Sequence, residues 1–180
     1  MTVMDSHWLE QCREGDAPAI ERLVQTYQQE VYRLALSILD DADEAEDATQ
    51  EVFVAALRAL DSFRGDASLK TWLFSIAVNV CRTRLQRHKR RGSLMQILQG
   101  LFIQNQAYPE QEALQNESDS ALWNAIQTLD DKQRIPVTLR YYHDLPVAEI
   151  AALLGVPVGT VHSRLNHARE KLRTLLREDE

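Results

Sequence analysis

Apolar side chains recur at three- and four-residue steps along most of the chain, and strand-like alternation is scarce. Steps of this size place side chains on one face of a helix. In residues 17–39 the recurring apolar positions are Ile20, Leu23, Val24, Tyr27, Val31, Leu34, Ala35 and Ile38. Asp16 suits the N-cap and Pro18 suits the first turn. This pattern predicts a long amphipathic helix.

Two further helices are predicted before the composition changes. The segment "DDADEAEDATQEVFVAALRAL" begins with acids, which favour a helix N-terminus. Its predicted inner face consists of Val52, Phe53, Ala56 and Leu60. "FRGDASLKT" contains Gly65 and Asp66, which predict a loop leading into the third helix, "SLKTWLFSIAVNVCRTRLQRHKRR". We therefore predict a compact helical domain over residues 1–91.

Residues 92–120 are rich in Gln, Asn and Ser and predict a linker. The segment "LMQILQGLFI" inside it is unusually apolar and fits an amphipathic helix interrupted by Gly100. Its apolar positions are Leu94, Ile97, Leu98, Leu101 and Phe102. We hypothesise that it packs on a helical domain or on a partner, the alternative being a disordered linker. A second helical set follows over residues 121–180, in which Pro136 limits one helix. The fold class is thus all-α, with two small domains.

The segment "LPVAEIAALLGVPVGTVHSRLNHAREKL" predicts two helices separated by a short turn. Pro146 suits the first turn of one helix, Gly155 suits its end, and Pro157 suits the start of the next. The predicted seam is Ile150, Leu154, Val161, Leu165, Ala168 and Leu172, with Ala151 small enough for a close crossing. The predicted outward residues are Thr160, His162, Ser163, Arg164, Asn166, His167 and Arg169. This is the plan of a helix-turn-helix, whose second helix enters a DNA major groove.

A plain helical hairpin is the alternative. It does not explain why residues 158–177 contain five Lys or Arg and one acid.

The charge of the chain, −7 overall, is unevenly distributed. Residues 1–63 contain four Lys or Arg against 14 Asp or Glu, whereas residues 64–91 contain eight against one. The basic segment includes Arg82, Arg84, Arg87, Lys89, Arg90 and Arg91. We therefore expect two kinds of partner, nucleic acid for the basic segment and a basic protein surface for the acidic half.

Two clusters of residues agree with this expectation. A Gly-containing loop, the aromatic residues Trp72 and Phe74, and a basic helix together suit single-stranded or melted DNA. Asp47, Gln50 and Glu51 are spaced i, i+3 and i+4, so they share one helix face that could dock on a basic partner. The alternatives are a solvated charged face and ordinary surface acids near a helix N-terminus.

Several classes of protein are disfavoured. The sequence has no phosphate-binding Gly loop, no HExxH and no nucleophile elbow, so we expect neither an enzyme nor a cofactor. Cys12 and Cys81 lack metal-ligand spacing and are expected to be buried, reduced thiols. No apolar run reaches the roughly 20 residues that span a bilayer, and no signal peptide is evident. We expect a cytoplasmic protein without membrane insertion.

Three segments in the same order resemble the extracytoplasmic-function (group IV) sigma factors of bacterial RNA polymerase. They are "REGDAPAIERLVQTYQQEVYRLALSIL", "DEAEDATQEVFVAALRALDSFRGDASLKTWLFSIAVNVCRTRL" and "IAALLGVPVGTVHSRLNHAREKL". The resemblance implies sigma region 2 over residues 1–91, a linker over 92–120 and region 4 over 121–180. It implies a factor that binds core polymerase and directs recognition of −10 and −35 promoter elements.

The resemblance also assigns roles to matching residues. Asp47, Gln50 and Glu51 match the face that docks on the clamp coiled coil of the largest polymerase subunit. The residues matching the −10 site are Phe63, Arg64, Gly65, Asp66, Ala67, Ser68, Leu69, Trp72, Asn79 and Arg82. The outward residues of the helix-turn-helix match the −35 reader, although the family usually has Arg or Lys at positions 162 and 167. The implied partners are the polymerase core with its flap region, promoter DNA and an anti-sigma factor.

Two other functions are compatible with parts of the sequence. A stand-alone helix-turn-helix regulator would bind duplex DNA without polymerase, but it leaves the acidic face and the loop unexplained. A pure interaction protein leaves the basic segment and the recognition helix unexplained. The acidic balance also predicts weak DNA binding by the free chain, because phosphate neutralisation supplies most non-specific affinity.

Overall fold

The computed structural model describes the backbone at residues 3–99 and 117–178, and the side chains at residues 8–89 and 122–176. Within these ranges the regular structure is entirely helical, which confirms the all-α prediction. The α-helices are α1 (Val3–Arg13), α2 (Ala17–Leu39), α3 (Ala42–Ala59), α4 (Leu69–Gln99), α5 (Glu117–Gln127), α6 (Asp131–Tyr141), α7 (Val147–Leu154) and α8 (Val158–Glu178). A 3-10 helix, Leu60–Ser62, follows α3.

Helices α2, α3 and α4 pack around the N-terminal core. The carboxylate of Asp16 accepts a hydrogen bond from the Ala19 amide at 3.0 Å, and that of Asp41 accepts one from the Glu44 amide at 2.8 Å. These caps satisfy amides that a helix leaves without partners at its start. The buried side chains include Leu23, Val31, Leu34, Ile38, Val52, Phe53, Ala56, Leu60, Leu73, Phe74 and Val78. The predicted inner face of α3 is therefore confirmed.

Helix α1 was not anticipated from the sequence. Leu9 and Cys12 are buried against the N-terminal core, and the Trp8 indole donates a hydrogen bond to the Ala19 carbonyl at 3.1 Å. The Arg13 guanidinium donates to the Phe63 carbonyl at 3.1 Å. Met4, Trp8 and Cys12 recur at four-residue steps in the sequence, a helical spacing that could have indicated this helix. Helix α1 therefore holds the start of the loop that precedes α4.

Helix α4 extends further than the sequence indicated. It continues past Arg91 to Gln99, whereas the predicted linker begins at residue 92. A single Gly92 costs a helix only about 1 kcal/mol, and the Leu, Met and Gln residues that follow are good helix formers. The rest of the predicted linker, including Leu101 and Phe102, lies largely outside the described residues.

Helices α5 to α8 form the C-terminal domain, with Ile126, Ile135 and Leu139 buried among them. The prediction that Pro136 limits a helix is wrong, because Pro136 lies inside α6. Its missing N–H leaves only the carbonyl of Lys132 without a helical partner, and Lys132 is exposed, so water can bind there. The Pro136 ring is itself buried, and this burial offsets part of the cost.

The helix-turn-helix is formed as predicted. Gly155, at φ +64°, takes the left-handed conformation that ends α7, and its amide bonds to carbonyls of the last turn. The seam between α7 and α8 buries Ile150, Ala151, Leu154, Val161, Leu165 and Ala168. Packing of the short α7 against the longer α8 thus leaves the polar side of α8 on the outside.

The two domains lie against each other. Helix α6 contacts the end of α2, and α7 crosses the start of α4. The buried residues of both domains form one continuous hydrophobic cluster. The sequence predicted two domains but gave no indication of this contact.

Candidate docking and nucleic-acid surfaces

The acidic surface lies on the exposed side of α3. Asp47, Gln50 and Glu51 are all exposed, while Ala48 and Val52 of the same helix are buried. Helical spacing accounts for both facts, because residues three and four apart share a face. The three predicted docking residues are therefore brought together on one accessible surface.

Arg84 of α4 supports this surface from the side. Its guanidinium donates to Glu44 Oε2 at 2.7 Å and to Glu51 Oε2 at 2.9 Å, bridging two turns of α3. The hydrogen bond from Arg84 is the main cause that lowers the pKa of Glu44. His88 lies 3.4 Å from the other oxygen of Glu44. Sequence reasoning placed Arg84 in a basic segment for nucleic acid, and the structure pairs it with the acidic helix instead.

The loop before α4 contains the first six residues of the predicted −10 site, and the seventh, Leu69, begins α4. Phe63 is buried, and its ring lies 5.2 Å from that of Trp72 at a tilt of 48°. Gly65 has φ +79°, a conformation that glycine adopts without strain. The Ser68 hydroxyl accepts a hydrogen bond from the Thr71 amide at 3.0 Å and so caps α4. The exposed residues of the loop are Arg64, Asp66, Ala67 and Ser68.

This loop forms one wall of a cleft of about 490 Å³. Trp72 and Ser75 of α4 continue that wall, and the opposite wall is α7 of the helix-turn-helix. The residues of α7 that line the cleft are Ala148, Glu149, Ala152 and Leu153. A surface predicted to bind melted DNA is thus faced by part of the domain predicted to read duplex DNA, which the sequence did not indicate.

Further along α4, Asn79 and Arg82 follow Trp72 at steps of seven and ten residues, so they lie on the same side of the helix. Asn79 is exposed and Arg82 is half-buried. Burial, and then the nearby Arg164 of α8, lower the pKa of Arg82. The structure therefore brings a predicted −10 residue close to a predicted −35 residue.

The predicted reading face of α8 is exposed. His162, Ser163, Asn166, His167 and Arg169 are exposed, and Thr160 and Arg164 are half-buried. Arg169 donates a hydrogen bond to the Tyr141 hydroxyl at 2.9 Å, which orients its guanidinium along the helix surface. These side chains can donate or accept hydrogen bonds at base edges and phosphates.

Other chemistry has little support in the described part of the chain. Cys12 and Cys81 are free and buried, as expected, and burial raises the pKa of the Cys81 thiol to about 12. Within residues 3–99 and 117–178, no group of three or more His, Cys, Asp or Glu is arranged to hold a metal ion. In those ranges no helix is both long enough and apolar enough to cross a bilayer.

Comparison with known proteins assigns the family. The model of Sigma-70 region 2 matches residues 23–91, and that of Sigma-70 region 4 matches residues 119–172. The ECF RNA polymerase sigma factor SigW of Bacillus subtilis is 32% identical over 186 residues, covering 99% of this chain and all of its own length. The chain belongs to the extracytoplasmic-function (ECF) sigma factors.

Other ECF relatives and solved structures agree with this assignment. RNA polymerase sigma-H factor of Pseudomonas aeruginosa is 35% identical, with 97% of this chain and 96% of that protein covered. ECF sigma-E factor of Escherichia coli is also 35% identical, covering 93% and 92%. The sigma factor RpoE of Bartonella quintana, solved in complex with the anti-sigma factor NepR, matches with a TM-score of 0.68 and 27% identity over 89% of this chain and 98% of its own. CnrH, in complex with the cytosolic domain of CnrY, gives the same TM-score and identity over 96% and 97%.

Family membership settles the class of function. The chain is an alternative sigma factor that directs promoter recognition and transcription initiation by RNA polymerase. It is an initiation factor and not an enzyme, as predicted. The stand-alone regulator and the pure interaction protein are both excluded.

Proposed function

We propose that this ECF sigma factor docks on the clamp coiled coil of the largest polymerase subunit through Asp47, Gln50 and Glu51. Three observations support this role. The residues are exposed together on α3, the opposite side of the helix is anchored in the core, and Arg84 holds Glu51 from one side. A fixed carboxylate loses less side-chain entropy when it meets a basic partner.

We further propose that the loop of residues 63–69, with Trp72, Asn79 and Arg82, binds the melted −10 element. Trp72 is half-buried beside the loop, and an indole ring is a group on which a base can stack. Asn79 and Arg82 lie on the same side of α4, where an amide and a cation can meet base and phosphate.

The exposed face of α8 is proposed to read the −35 element as duplex. Asn166 can make paired hydrogen bonds to an adenine edge, and Arg164 and Arg169 supply cations for guanine or phosphate. His162 and His167 stand where the family usually has Arg or Lys, and an imidazole N–H can donate a hydrogen bond to a base edge or a phosphate. The remaining surface of this domain is proposed to contact the polymerase flap region.

The observation that carries the proposal is the coexistence of three surfaces in one chain: the exposed acidic face of α3, the loop before α4 with the polar side chains of α4, and the exposed polar face of α8. Linking two weak DNA modules to polymerase raises their effective concentration at the promoter. We therefore propose that neither module binds promoter DNA tightly alone, and that the factor acts in the bacterial cytoplasm.

Run-off transcription with core polymerase tests the assignment of the docking face. The full chain should give a promoter-dependent transcript, and the double variant Asp47→Lys with Glu51→Lys should lose most of it through weaker core binding. The matched control is Glu14→Lys with Glu21→Lys, two exposed acids of the same domain with the same change in charge. Equal loss in both double variants would show a general charge effect and would remove the docking assignment.

Regulation by an anti-sigma factor is also proposed for this chain, because RpoE of Bartonella quintana was solved in complex with the anti-sigma factor NepR, and CnrH in complex with the cytosolic domain of CnrY. Co-purification of the tagged chain from its native host, followed by identification of bound proteins, tests this. Recovery with core polymerase alone, under conditions that do not induce transcription, would contradict it.

A further inference from the structure

Tyr141, the last residue of α6, lies beside the polar face of α8 that is proposed to read the −35 element. The residue is 55% exposed, so its ring contributes little to the core of the C-terminal domain. Its hydroxyl accepts a hydrogen bond from Arg169 Nη2 of α8 at 2.9 Å. Tyr141 belongs to another helix, so the spacing of residues along α8 gives no indication of it.

Arg169 lies at the far end of this face. His162, Asn166 and Arg169 are spaced by four and three residues, so their side chains share one side of α8. All three are exposed. Arg169 is about 16 Å along the helix axis from Val158, the first residue of α8, whereas a major groove is only about 12 Å wide. If the first turns of α8 meet base edges, Arg169 therefore lies at the phosphate backbone.

The guanidinium of Arg169 has no carboxylate partner in the part of the chain whose side chains are described. It bonds there to the Tyr141 hydroxyl, which is neutral, so its positive charge stays uncompensated. Arg84 differs, because Glu44 and Glu51 both pair with it. An exposed arginine without a carboxylate partner suits a phosphate, which accepts charge-assisted hydrogen bonds from a guanidinium.

The Tyr141 hydroxyl keeps its own proton to donate after it accepts the bond from Arg169. A phenol hydroxyl is both a donor and an acceptor, and a bond accepted from a cation polarises its O–H group and strengthens it as a donor. Arginine and tyrosine side chains both bind DNA phosphate oxygens. The pair thus presents a cation and an O–H group side by side, which matches the neighbouring oxygens of one phosphate.

We infer that Tyr141 is a further residue of the duplex-binding surface, where it positions Arg169 and donates its hydroxyl proton to the same backbone phosphate. This inference rests on the proposed binding of duplex DNA by α8. A phosphate contact fixes the register of a protein on the duplex without reading its sequence. Tyr141 therefore contributes affinity and orientation, and the choice of bases is left to other residues of the face.

Fluorescence anisotropy of the full chain with a labelled duplex of randomised sequence, over a series of salt concentrations, tests this contact. A random duplex is a suitable probe because its phosphates are the same in every sequence. Tyr141→Phe removes one oxygen and keeps the ring, so it should weaken binding about fivefold, which is the size of one net hydrogen bond. Arg169→Ala should lower the slope of log affinity against log salt by about one.

Tyr142→Phe is the matched control. Tyr142 is the next residue, it is 53% exposed, and its ring packs edge-on against Trp123 instead of lying beside Arg169. The control should bind the duplex as tightly as the wild type. Equal binding by Tyr141→Phe and the wild type, or equal losses in the two phenylalanine variants, would overturn the inference.

A double-mutant cycle with Arg169→Ala distinguishes positioning from a structural effect. If Tyr141 acts through Arg169, Tyr141→Phe should cost much less affinity once Arg169 is absent, and by itself it should also reduce the salt slope. Equal losses in both backgrounds would overturn the positioning role.

Arg164→Ala separates this inference from the proposal on which it rests. If Arg164→Ala and Arg169→Ala both bind the duplex like the wild type, the proposed role of α8 fails, and the inference about Tyr141 fails with it. If both lose affinity and Tyr141→Phe does not, α8 keeps its role and Tyr141 alone is removed from the surface.

Discussion

Acidification should weaken the contact between the two domains through His143. We call the chain closed when α6 and α7 lie against α2 and α4, and open when the two domains are apart. The imidazole lies against Phe74 at the domain interface. Burial, and then the Lys70 cation, lower the pKa of His143 from 6.5 to about 4. The charged groups that face it are Lys70 of α4, Glu30 and Arg33 of α2, and Asp144 of its own loop. In an open chain His143 meets water and regains its ordinary pKa.

The sign and size of the effect follow from these two values. Above pH 6.5 His143 is neutral in both states and closure has its full stability. Between pH 6.5 and pH 4 only the open state takes up the proton, so closure loses stability as the pH falls. At 1.36 kcal/mol per pKa unit, the loss is about 2 kcal/mol at pH 5 and about 3 kcal/mol at most. Below pH 4 both states are protonated and the loss stops growing.

Small-angle X-ray scattering, which gives the radius of gyration, and urea denaturation, which gives the free energy of unfolding, measure this loss at pH 7.5 and pH 5. The wild type should expand or unfold more easily at pH 5, whereas His143→Gln, which cannot titrate, should show a smaller pH dependence by about 2 kcal/mol. His162→Gln removes an exposed histidine of α8 and is the control. Burial raises the pKa of Asp40, which acts in the opposite direction, but this contribution cancels between wild type and variant. If His143→Gln followed the wild type at both pH values, the reasoning would be wrong.

Three further predictions concern single side chains. Arg84→Ala should lower the free energy of unfolding by about 1 kcal/mol in urea denaturation, because two carboxylates of α3 lose a partly buried partner. The same variant should compete less well than the wild type for core polymerase. Unchanged competition would show that Arg84 does not contribute to docking. Arg164→Ala should cost about 1–3 kcal/mol of −35-dependent affinity, measured by run-off transcription on templates with and without that element. A neutral result would remove Arg164 from the reading residues. Gly155→Ala should destabilise the chain by about 1 kcal/mol in thermal melting, from φ +64° alone, since a Cβ there meets nothing within 4 Å.

The helices that could be predicted are those whose own pattern determines them. Helix α2 has a cap and eight periodic apolar residues, and the helix-turn-helix has a glycine at the one position that needs positive φ. The prediction for Pro136 was wrong because the free-energy cost of proline in a helix depends on whether water reaches the carbonyl that loses its partner. That exposure is determined by the tertiary structure and not by the local sequence. Helix α1 could have been predicted, because Met4, Trp8 and Cys12 recur at four-residue steps in the sequence.

The residues of the candidate surfaces also fall into those that the sequence could predict and those that it could not. The exposed faces of α3 and α8 could be predicted because spacing alone fixes which side chains share a face. The ion pairs of Arg84 could not, because its partners Glu44 and Glu51 lie 40 and 33 residues away and such pairs leave no periodic pattern in the sequence. Whether a cation serves nucleic acid or the protein itself is decided by the packing of distant helices.

The number of surfaces that helix α4 supports has a consequence for the phenotypes of its variants. Over 31 residues, or about 46 Å, one rigid rod carries the support of the acidic face, the proposed −10 residues and the line of contact with the C-terminal domain. Substitutions along it should therefore change several phenotypes at once, and alleles defective in a single step should be rare there. Helix α8 has one exposed face and one buried seam, so separation-of-function alleles should be recovered from α8 far more often.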